Sequence, residues 1–189
     1  MKNLEKSVLI IAIAIGSMAF TTPVKKSINP EKSSIDWKGE KVLGTHTGTI
    51  SLQEGHLEMD ANGITGGKFI VDMNTITVTD LEGGSKGKLE GHLKSDDFFG
   101  VKNYPTASLV INSAKKTDYG YDVSANITIK GITEPISFVL SEHEDGTMTT
   151  KLVIDRTKFD VRYGSGSFFD NLGDKTISDD FKLDVKLAF

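Results

Sequence analysis

The chain has 189 residues, no cysteine, and 22 basic against 26 acidic side chains, which gives a formal charge of −4. The acidic balance argues against a nucleic-acid partner, whose phosphates need clustered lysine and arginine, and the lack of cysteine excludes disulfides. A chain of this length is long enough for one hydrophobic core, so we expect a single domain that is stabilised by its own packing.

The first residues predict a secretory signal peptide over residues 1–19. Lys2 and Lys6 form a short basic region, residues 8–15 are all apolar, and the small residues that follow suit cleavage after Ala19. The apolar stretch is shorter than the roughly 20 residues that a membrane-spanning helix needs, which makes an N-terminal membrane anchor the weaker alternative. We therefore expect an exported protein that is located in the periplasm or secreted.

Residues 20–27 predict a flexible lead-in, and we expect the folded domain over residues 28–189. Cleavage would leave 20 basic and 25 acidic side chains, since the signal peptide carries two lysines and one glutamate. This negative charge also argues against electrostatic docking on anionic lipid.

Apolar and polar residues alternate with a period of two along the expected domain. The pattern is clearest at the C-terminus, where Phe181, Leu183 and Val185 alternate with Lys182 and Asp184. One apolar and one polar face is typical of antiparallel strands that bury a single side, so the sequence predicts an all-β domain of about eight such strands. The segments that alternate are 35–37, 47–52, 68–73, 106–111, 122–130, 136–140, 148–154 and 181–189.

Turn-forming residues separate these segments. Asparagine or aspartate followed by glycine suits a tight hairpin, because both residues tolerate a positive φ. The predicted turns are Glu54-Gly55, Asn62-Gly63, Asp118-Tyr119-Gly120, Lys130-Gly131 and Asp145-Gly146.

The alternation is interrupted between residues 81 and 104, where the spacing of Leu89 and Leu93 predicts a short helix. Each glycine within it costs about 1 kcal/mol relative to alanine, so packing has to hold this helix in place. The adjacent Phe98 and Phe99 follow it. We expect one of these rings to point at the core and the other elsewhere.

Several motifs resemble the YceI family of exported polyisoprenoid-binding proteins. The main one is the string HLKSDDFF at residues 92–99, followed by YPTA at residues 104–107. Shorter matches, at residues 37–39, 44–48, 67–73, 127–131 and 155–159, occur in the order of the family. The resemblance extends over residues 28–189. It implies an extended, lipocalin-like, eight-stranded antiparallel barrel with its helix near one end, and an elongated cavity for a polyprenyl chain, as in isoprenoid quinones or polyprenyl phosphates.

The implied ligand would be held mainly by its tail. Burial of some 20 carbons is worth roughly 15 kcal/mol relative to water, at about 0.8 kcal/mol per carbon, whereas a charge-assisted head-group hydrogen bond adds about 1 to 3 kcal/mol. The aromatic residues expected to line the cavity are Trp37, Phe69, Phe98, Phe99, Phe138 and Phe159; each of them could equally be ordinary core. A carrier of this kind would contact a membrane transiently when it is loaded.

His92 and Arg156 are the polar residues expected near the oxygen-bearing end of the ligand. The alternative for Arg156 is a structural salt bridge with one of the many aspartates, and the alternative for His92 is a histidine that ties the helix to a strand.

Motifs of enzymes and metal sites are not found. The four histidines do not show the spacing of a metal site, and no Gly-x-Ser-x-Gly nucleophile motif occurs. The sequence therefore predicts no cofactor and no catalytic residue. Two alternatives to a lipid carrier remain: a barrel with a filled core that acts through its outer surface, and an enzyme that modifies a lipid.

Overall fold

The computed structural model describes residues 22–189, so the predicted signal peptide over residues 1–19 lies outside the described residues. The described chain is built mainly from β-strands with one α-helix. Its strands and helix are β1 (Val24–Ser27), β2 (Ser34–Lys41), β3 (Gly44–Asp60), β4 (Gly63–Val78), α1 (Gly83–Lys94), β5 (Thr106–Thr117), β6 (Gly120–Ile129), β7 (Ile132–Glu142), β8 (Met148–Asp155) and β9 (Ile177–Leu187).

The strands form one antiparallel sheet that closes on itself. Their order is β1-β3-β2-β9-β8-β7-β6-β5-β4, and β4 pairs back with β3. Strands β2 to β9 thus make a closed eight-stranded barrel, which confirms the predicted fold class, and every predicted strand segment contributes to one of them. The short β1 lies within the predicted lead-in and pairs with the far end of β3, from Val24 opposite Met59 to Ser27 opposite His56.

The predicted turn at Glu54-Gly55 is wrong, because β3 continues through it with a bulge between Leu52 and Glu54. Gly55 is required for a close approach instead: a Cβ atom there would lie 2.5 Å from the ring of Phe69 on β4. The other predicted turns are confirmed. At the β6–β7 hairpin, for example, Lys130 and Gly131 have φ angles of 52° and 77°, as a two-residue hairpin of this type requires.

The short helix predicted between residues 81 and 104 is confirmed as α1, which connects β4 to β5. Its packing on the barrel is fixed by Glu90, whose carboxylate accepts a hydrogen bond of 2.9 Å from the backbone N–H of Val78 at the end of β4. Among the described residues no helix is long and apolar enough to span a membrane.

The two ends of the barrel differ. At the hairpin end, where the β3–β4, β5–β6 and β7–β8 hairpins lie, Leu57, Tyr121, Leu140 and Met148 are almost completely buried in one apolar cluster. At the opposite end, called the α1 end here, lie the β2–β3 hairpin, α1 and residues 156–176. The barrel interior is therefore sealed by side chains at the hairpin end.

Candidate functional site

A cavity of about 250 Å³ runs inside the barrel, and all eight barrel strands and α1 contribute to its wall. On β9 the lining residues extend from Ile177 to Leu187, the two ends of this 11-residue strand. Such a strand is about 35 Å long at about 3.3 Å per residue, and a typical tilt of about 40° leaves about 25 Å along the barrel axis. The cavity is therefore long and narrow.

The walls are hydrocarbon over most of this length because the alternation of each strand turns its apolar residues inward. On β9 the residues Phe181, Leu183 and Val185 line the cavity, while the intervening Lys182 and Asp184 are exposed. Polar residues in the lining are concentrated at the α1 end; they include Glu40, Lys41, His46, His92, Ser178 and Asp180. A ligand with a long apolar part and a polar end matches this distribution.

Five of the six aromatic residues selected from the sequence lie on the cavity surface: Trp37, Phe69, Phe98, Phe99 and Phe138. Trp37 is the single tryptophan of the chain. The ring packs against Gly48, where the lack of a side chain leaves room for it; a Cβ atom at this position would collide with the ring. The indole N–H donates a hydrogen bond of 3.3 Å to the carbonyl of Thr49.

The expectation that Phe98 and Phe99 diverge is wrong. Their ring centroids lie 5.2 Å apart in an edge-on arrangement, and both rings line the cavity. The two residues lie in the turn that follows α1 and not in a strand, so the rule that adjacent side chains alternate between faces does not apply. Phe99 also contacts Phe181 edge-on, with the centroids 6.1 Å apart.

Phe159 does not line the cavity. It lies in a 3₁₀ segment, Arg156–Phe159, and is almost fully buried in a cluster with Leu152, Ile154 and other residues of the barrel wall. Because a 3₁₀ segment does not share the inward alternation of the strands, the sequence position of Phe159 gave no guide to where its ring points.

Arg156 is 2% exposed and lies at the α1 end of the cavity wall. Its guanidinium donates hydrogen bonds of 2.9, 2.7 and 3.1 Å to the carbonyls of Ser178, Val161 and Ile177. Its Nη2 atom also lies 3.6 Å from a carboxylate oxygen of Asp179. Burial lowers the pKa of Arg156, and the nearby carboxylates oppose this shift. These contacts support the structural alternative, since they fix the start of β9 against the segment after β8.

His92 differs from Arg156 in having a free polar atom. Its ring packs edge-on against Tyr163 and Phe98, with centroid distances of 4.5 and 5.6 Å. The Nε2 atom is buried, and no described residue hydrogen-bonds to it. Nε2 therefore forms no hydrogen bond that would tie α1 to a strand, and the His92 side chain forms part of the cavity wall at the α1 end.

Two polar features of the cavity were missed from the sequence. Thr150 on β8 forms part of the wall, and its hydroxyl is buried without a hydrogen-bond partner among the described residues. The signal in the sequence was a threonine at an inward position of an otherwise apolar alternation. At the α1 end, His46 Nδ1 lies 2.8 Å from a carboxylate oxygen of Asp80, and the other oxygen accepts from the N–H of Thr47. Burial raises the pKa of Asp80, but these hydrogen bonds outweigh it and the net shift is downward.

The described residues contain no group of three or more His, Asp or Glu side chains placed to hold a metal ion. Fold and cavity together define a closed eight-stranded antiparallel barrel with a narrow apolar interior and a polar end.

The chain belongs to the YceI family: the model of the YceI-like domain matches residues 27–189. It is 26% identical to a UPF0312 protein of Pseudomonas putida over 137 residues. This match covers 71% of this chain and 69% of that protein. Protein YceI of Escherichia coli is 30% identical over 90 residues, or 48% of this chain and 45% of that protein.

Solved structures share the fold. BcnA of Burkholderia cenocepacia matches with a TM-score of 0.67 at 21% sequence identity. The match covers 85% of this chain and 98% of BcnA. A polyisoprenoid binding domain from Saccharophagus degradans, implicated in plant cell wall breakdown, has a TM-score of 0.57 at 15% identity and covers 85% of this chain and 95% of that domain.

Proposed function

We propose that this protein is an exported carrier, periplasmic or secreted, that holds the hydrocarbon tail of an isoprenoid lipid inside the barrel. A quinone or a polyprenyl phosphate has the required shape, a long apolar tail with one polar end. The observation that carries the proposal is the long, narrow, apolar cavity with its polar α1 end. The polyisoprenoid binding domain of Saccharophagus degradans, which has the same fold, supports it.

The cavity favours a carrier over the alternative of a filled barrel that acts only through its outer surface. Burial of a tail in such a cavity is favourable by about 0.8 kcal/mol per carbon relative to water, from which the entropy lost on binding is subtracted. A bilayer is as apolar as the cavity, so the ligand can move between the two with a small net change in free energy. A carrier needs this balance to release what it has bound.

The proposal is tested by mass spectrometry of an organic extract from protein purified out of its native exported fraction. A prenyl lipid in stoichiometric amount would support the carrier function and identify the ligand. An empty protein whose Trp37 fluorescence also stays unchanged on titration with all-trans-retinol or geranylgeraniol would count against it, and would favour an action through the outer surface.

His92 is proposed to select the polar end of the ligand through its free Nε2 atom. The variant His92→Phe keeps an aromatic ring but cannot hydrogen-bond, so we expect its affinity for geranylgeraniol to fall by about five- to tenfold, as the loss of one hydrogen bond of about 1 kcal/mol implies. Affinity for phytane, an isoprenoid hydrocarbon without oxygen, should not fall. Both are measured through Trp37 fluorescence.

The matched control for His92 is His143→Phe, the same substitution at an exposed position beyond the hairpin end. Equal losses for geranylgeraniol and phytane in His92→Phe would show that the residue only shapes the wall and does not bond to the oxygen.

Transient membrane contact during loading is proposed to use exposed apolar residues at the α1 end. Leu43 is at the tip of the β2–β3 hairpin, and Phe169 lies in the segment before β9; both are exposed. The backbone hydrogen bonds from Val42 to Thr176 and from Ile177 to Gly164 bring these two segments together. Exposed apolar groups on one surface are typical of membrane or protein contact sites.

We expect the double variant Leu43→Ser, Phe169→Ser to bind phosphatidylcholine vesicles about 30-fold more weakly in a flotation assay, because partial burial of each side chain is worth about 1 kcal/mol. The control is Tyr119→Ser, which removes a side chain that is 83% exposed at the hairpin end. Equal flotation of both variants and the unmodified protein would contradict a docking role for the α1 end.

A further inference from the structure

The wall of the barrel has a seam between β7 and β8. Strand β8 pairs with β9 over its whole length, from Met148 to Asp155, and β7 pairs with β6 over nearly its whole length. Between β7 and β8, in contrast, only Ser141–Thr149 and Glu142–Met148 are paired, next to the hairpin that joins them. Residues 132–140 and 150–155, all within the described chain, therefore face each other without ladder hydrogen bonds.

The sequence offers a local cause for the missing pairs. Pro135 lies in the middle of β7, and proline has no N–H to donate to a neighbouring strand. Prolines inside sheets accordingly lie on edge strands or at irregular positions. A β7 that is paired only with β6 over this stretch is such an edge, although it belongs to a barrel that is closed.

Side-chain packing closes the seam in place of hydrogen bonds. Phe159, almost completely buried, shares an apolar cluster with Leu152 and Ile154 of β8, and Ile136 and Phe138 of β7 pack against this cluster. Of these residues, Phe138, Leu152 and Ile154 also form part of the cavity surface. Over this stretch the cavity is therefore separated from the outside by side-chain packing and not by ladder hydrogen bonds between β7 and β8.

The seam is bounded at both ends. The β7–β8 hairpin limits it at the hairpin end. At the α1 end the ammonium group of Lys130 donates hydrogen bonds of 3.0 and 3.3 Å to the carbonyls of Asp160 and Asp96, which fixes the chain just beyond Phe159. On the outside, Val139 and Val153 are 52% and 56% exposed and lie on the two strands that border the seam. Apolar side chains therefore border the seam both on its cavity side and on the outer surface.

We propose that this seam is a lateral portal through which the hydrocarbon tail of the ligand passes between the cavity and a lipid surface, with Phe159 as its gate. The inference rests on the proposed carrier function and specifies how the ligand is exchanged. Since the hairpin end is sealed, end-on exchange would require the whole tail to be threaded along a cavity of about 25 Å. Sideways passage avoids this threading, because the tail leaves its whole length at once.

The absence of cysteine from the chain allows a specific clamp across the seam. Continued from Ser141–Thr149, the register places residue 137 opposite residue 153, and Ser137 and Val153 are both exposed. The double variant Ser137→Cys, Val153→Cys is joined with a short, reducible bis-maleimide. The matched control, Val153→Cys, Lys182→Cys, shares one cysteine and joins two residues that lie opposite each other within the intact β8–β9 ladder.

Exchange is measured by stopped-flow fluorescence of Trp37 with all-trans-retinol, an isoprenoid alcohol that absorbs tryptophan emission. We expect the clamp across the seam to slow both association and dissociation about tenfold or more, as for binding that requires a conformational change, and reduction of the linker to restore both rates. The β8–β9 clamp should leave both rates as they are in the same double variant before the linker is added. The variant Phe159→Ala removes the gate and should accelerate both rates.

Retinol binding with equal rates in both clamped proteins, together with unchanged rates in Phe159→Ala, would overturn the portal and assign exchange to the α1 end. A complete lack of quenching in the unmodified protein would instead overturn the carrier function, and with it this inference. The two failures are therefore distinguishable in one set of measurements.

Discussion

An arginine in place of Phe99 is expected to leave the barrel folded but without lipid. Phe99 lies on the cavity surface near the α1 end, between Phe98 and Phe181. A guanidinium group among these rings must either stay in the apolar cavity, at a desolvation cost of several kcal/mol, or extend its charge toward the α1 end. In both positions it fills the space that the ligand would occupy next to its polar end.

We expect the affinity of Phe99→Arg for all-trans-retinol, measured through Trp37 fluorescence, to fall about 100-fold or more, as a penalty of about 3 kcal/mol implies. Lipid that co-purifies with the unmodified protein should be absent from the variant. The control is Tyr119→Arg, which also replaces an aromatic residue by arginine but at a position that is 83% exposed at the hairpin end, and it should bind normally. Full lipid content in Phe99→Arg would remove this position from the ligand site.

The sequence predicted those parts of the fold that depend on local pattern. The alternation of Phe181, Leu183 and Val185 requires no partner to be recognised, and Lys130-Gly131 gives a tight turn through its own backbone preferences. Gly55 shows the limit of such reasoning. Its function is to admit the ring of Phe69 from the neighbouring strand, and a contact with a residue 14 positions away leaves no mark in the local sequence.

Most of the residues selected from the sequence line the cavity, but the direction of their side chains could be predicted only for those on strands. Trp37, Phe69 and Phe138 lie on strands, and for these the alternation gives the direction of each side chain. Phe98, Phe99 and Phe159 follow α1 or β8 in turns and a 3₁₀ segment, where no simple period relates sequence position to direction. The seam could not be predicted either, since it depends on which strands become neighbours and on how far their pairing extends.

The two polar residues selected from the sequence show why residue type alone did not determine their roles. Arginine and histidine both suit the recognition of an oxygen-bearing group. The donors of Arg156 are directed to three backbone carbonyls of its own chain, whereas the Nε2 atom of His92 is buried without a partner among the described residues. We therefore propose His92, and not Arg156, as the residue that contacts the polar end of a ligand, and the contacts of Arg156 give it a stabilising role.

Replacement of Arg156 by methionine is expected to lower the free energy of unfolding by about 3 to 5 kcal/mol, the range for removal of one partner of a buried ion pair. Methionine fills a similar volume but leaves three carbonyls without their donor and the carboxylate of Asp179 without the nearby positive charge. The measurement is urea unfolding at pH 7. Arg162→Met is the control: Arg162 lies 2.9 Å from Asp160 at the surface, and loss of an exposed pair should cost about 1 kcal/mol or less.

The loss in Arg156→Met should also depend on pH through Asp179. Burial raises the pKa of Asp179, but hydrogen bonds from Ser165 and Ser167 and the charge of Arg156 bring it below its ordinary value of 3.8. A lowered pKa in the folded state means that the ionised group stabilises the fold above pH 3.8, and that this contribution is lost as the pH falls through the folded pKa. Without Arg156 the folded pKa rises, so the variant should lose this contribution at a higher pH.

At a pH below the lowered pKa of Asp179, this carboxyl group is neutral in both proteins, and a neutral carboxyl group without a counter-charge is far cheaper to bury than a carboxylate. The difference in unfolding free energy between Arg156→Met and the unmodified protein should therefore shrink as the pH is lowered from 7 to 3. A difference that stayed constant over this range would show that the arginine stabilises the barrel through the three carbonyls alone, and that its charge is not coupled to Asp179.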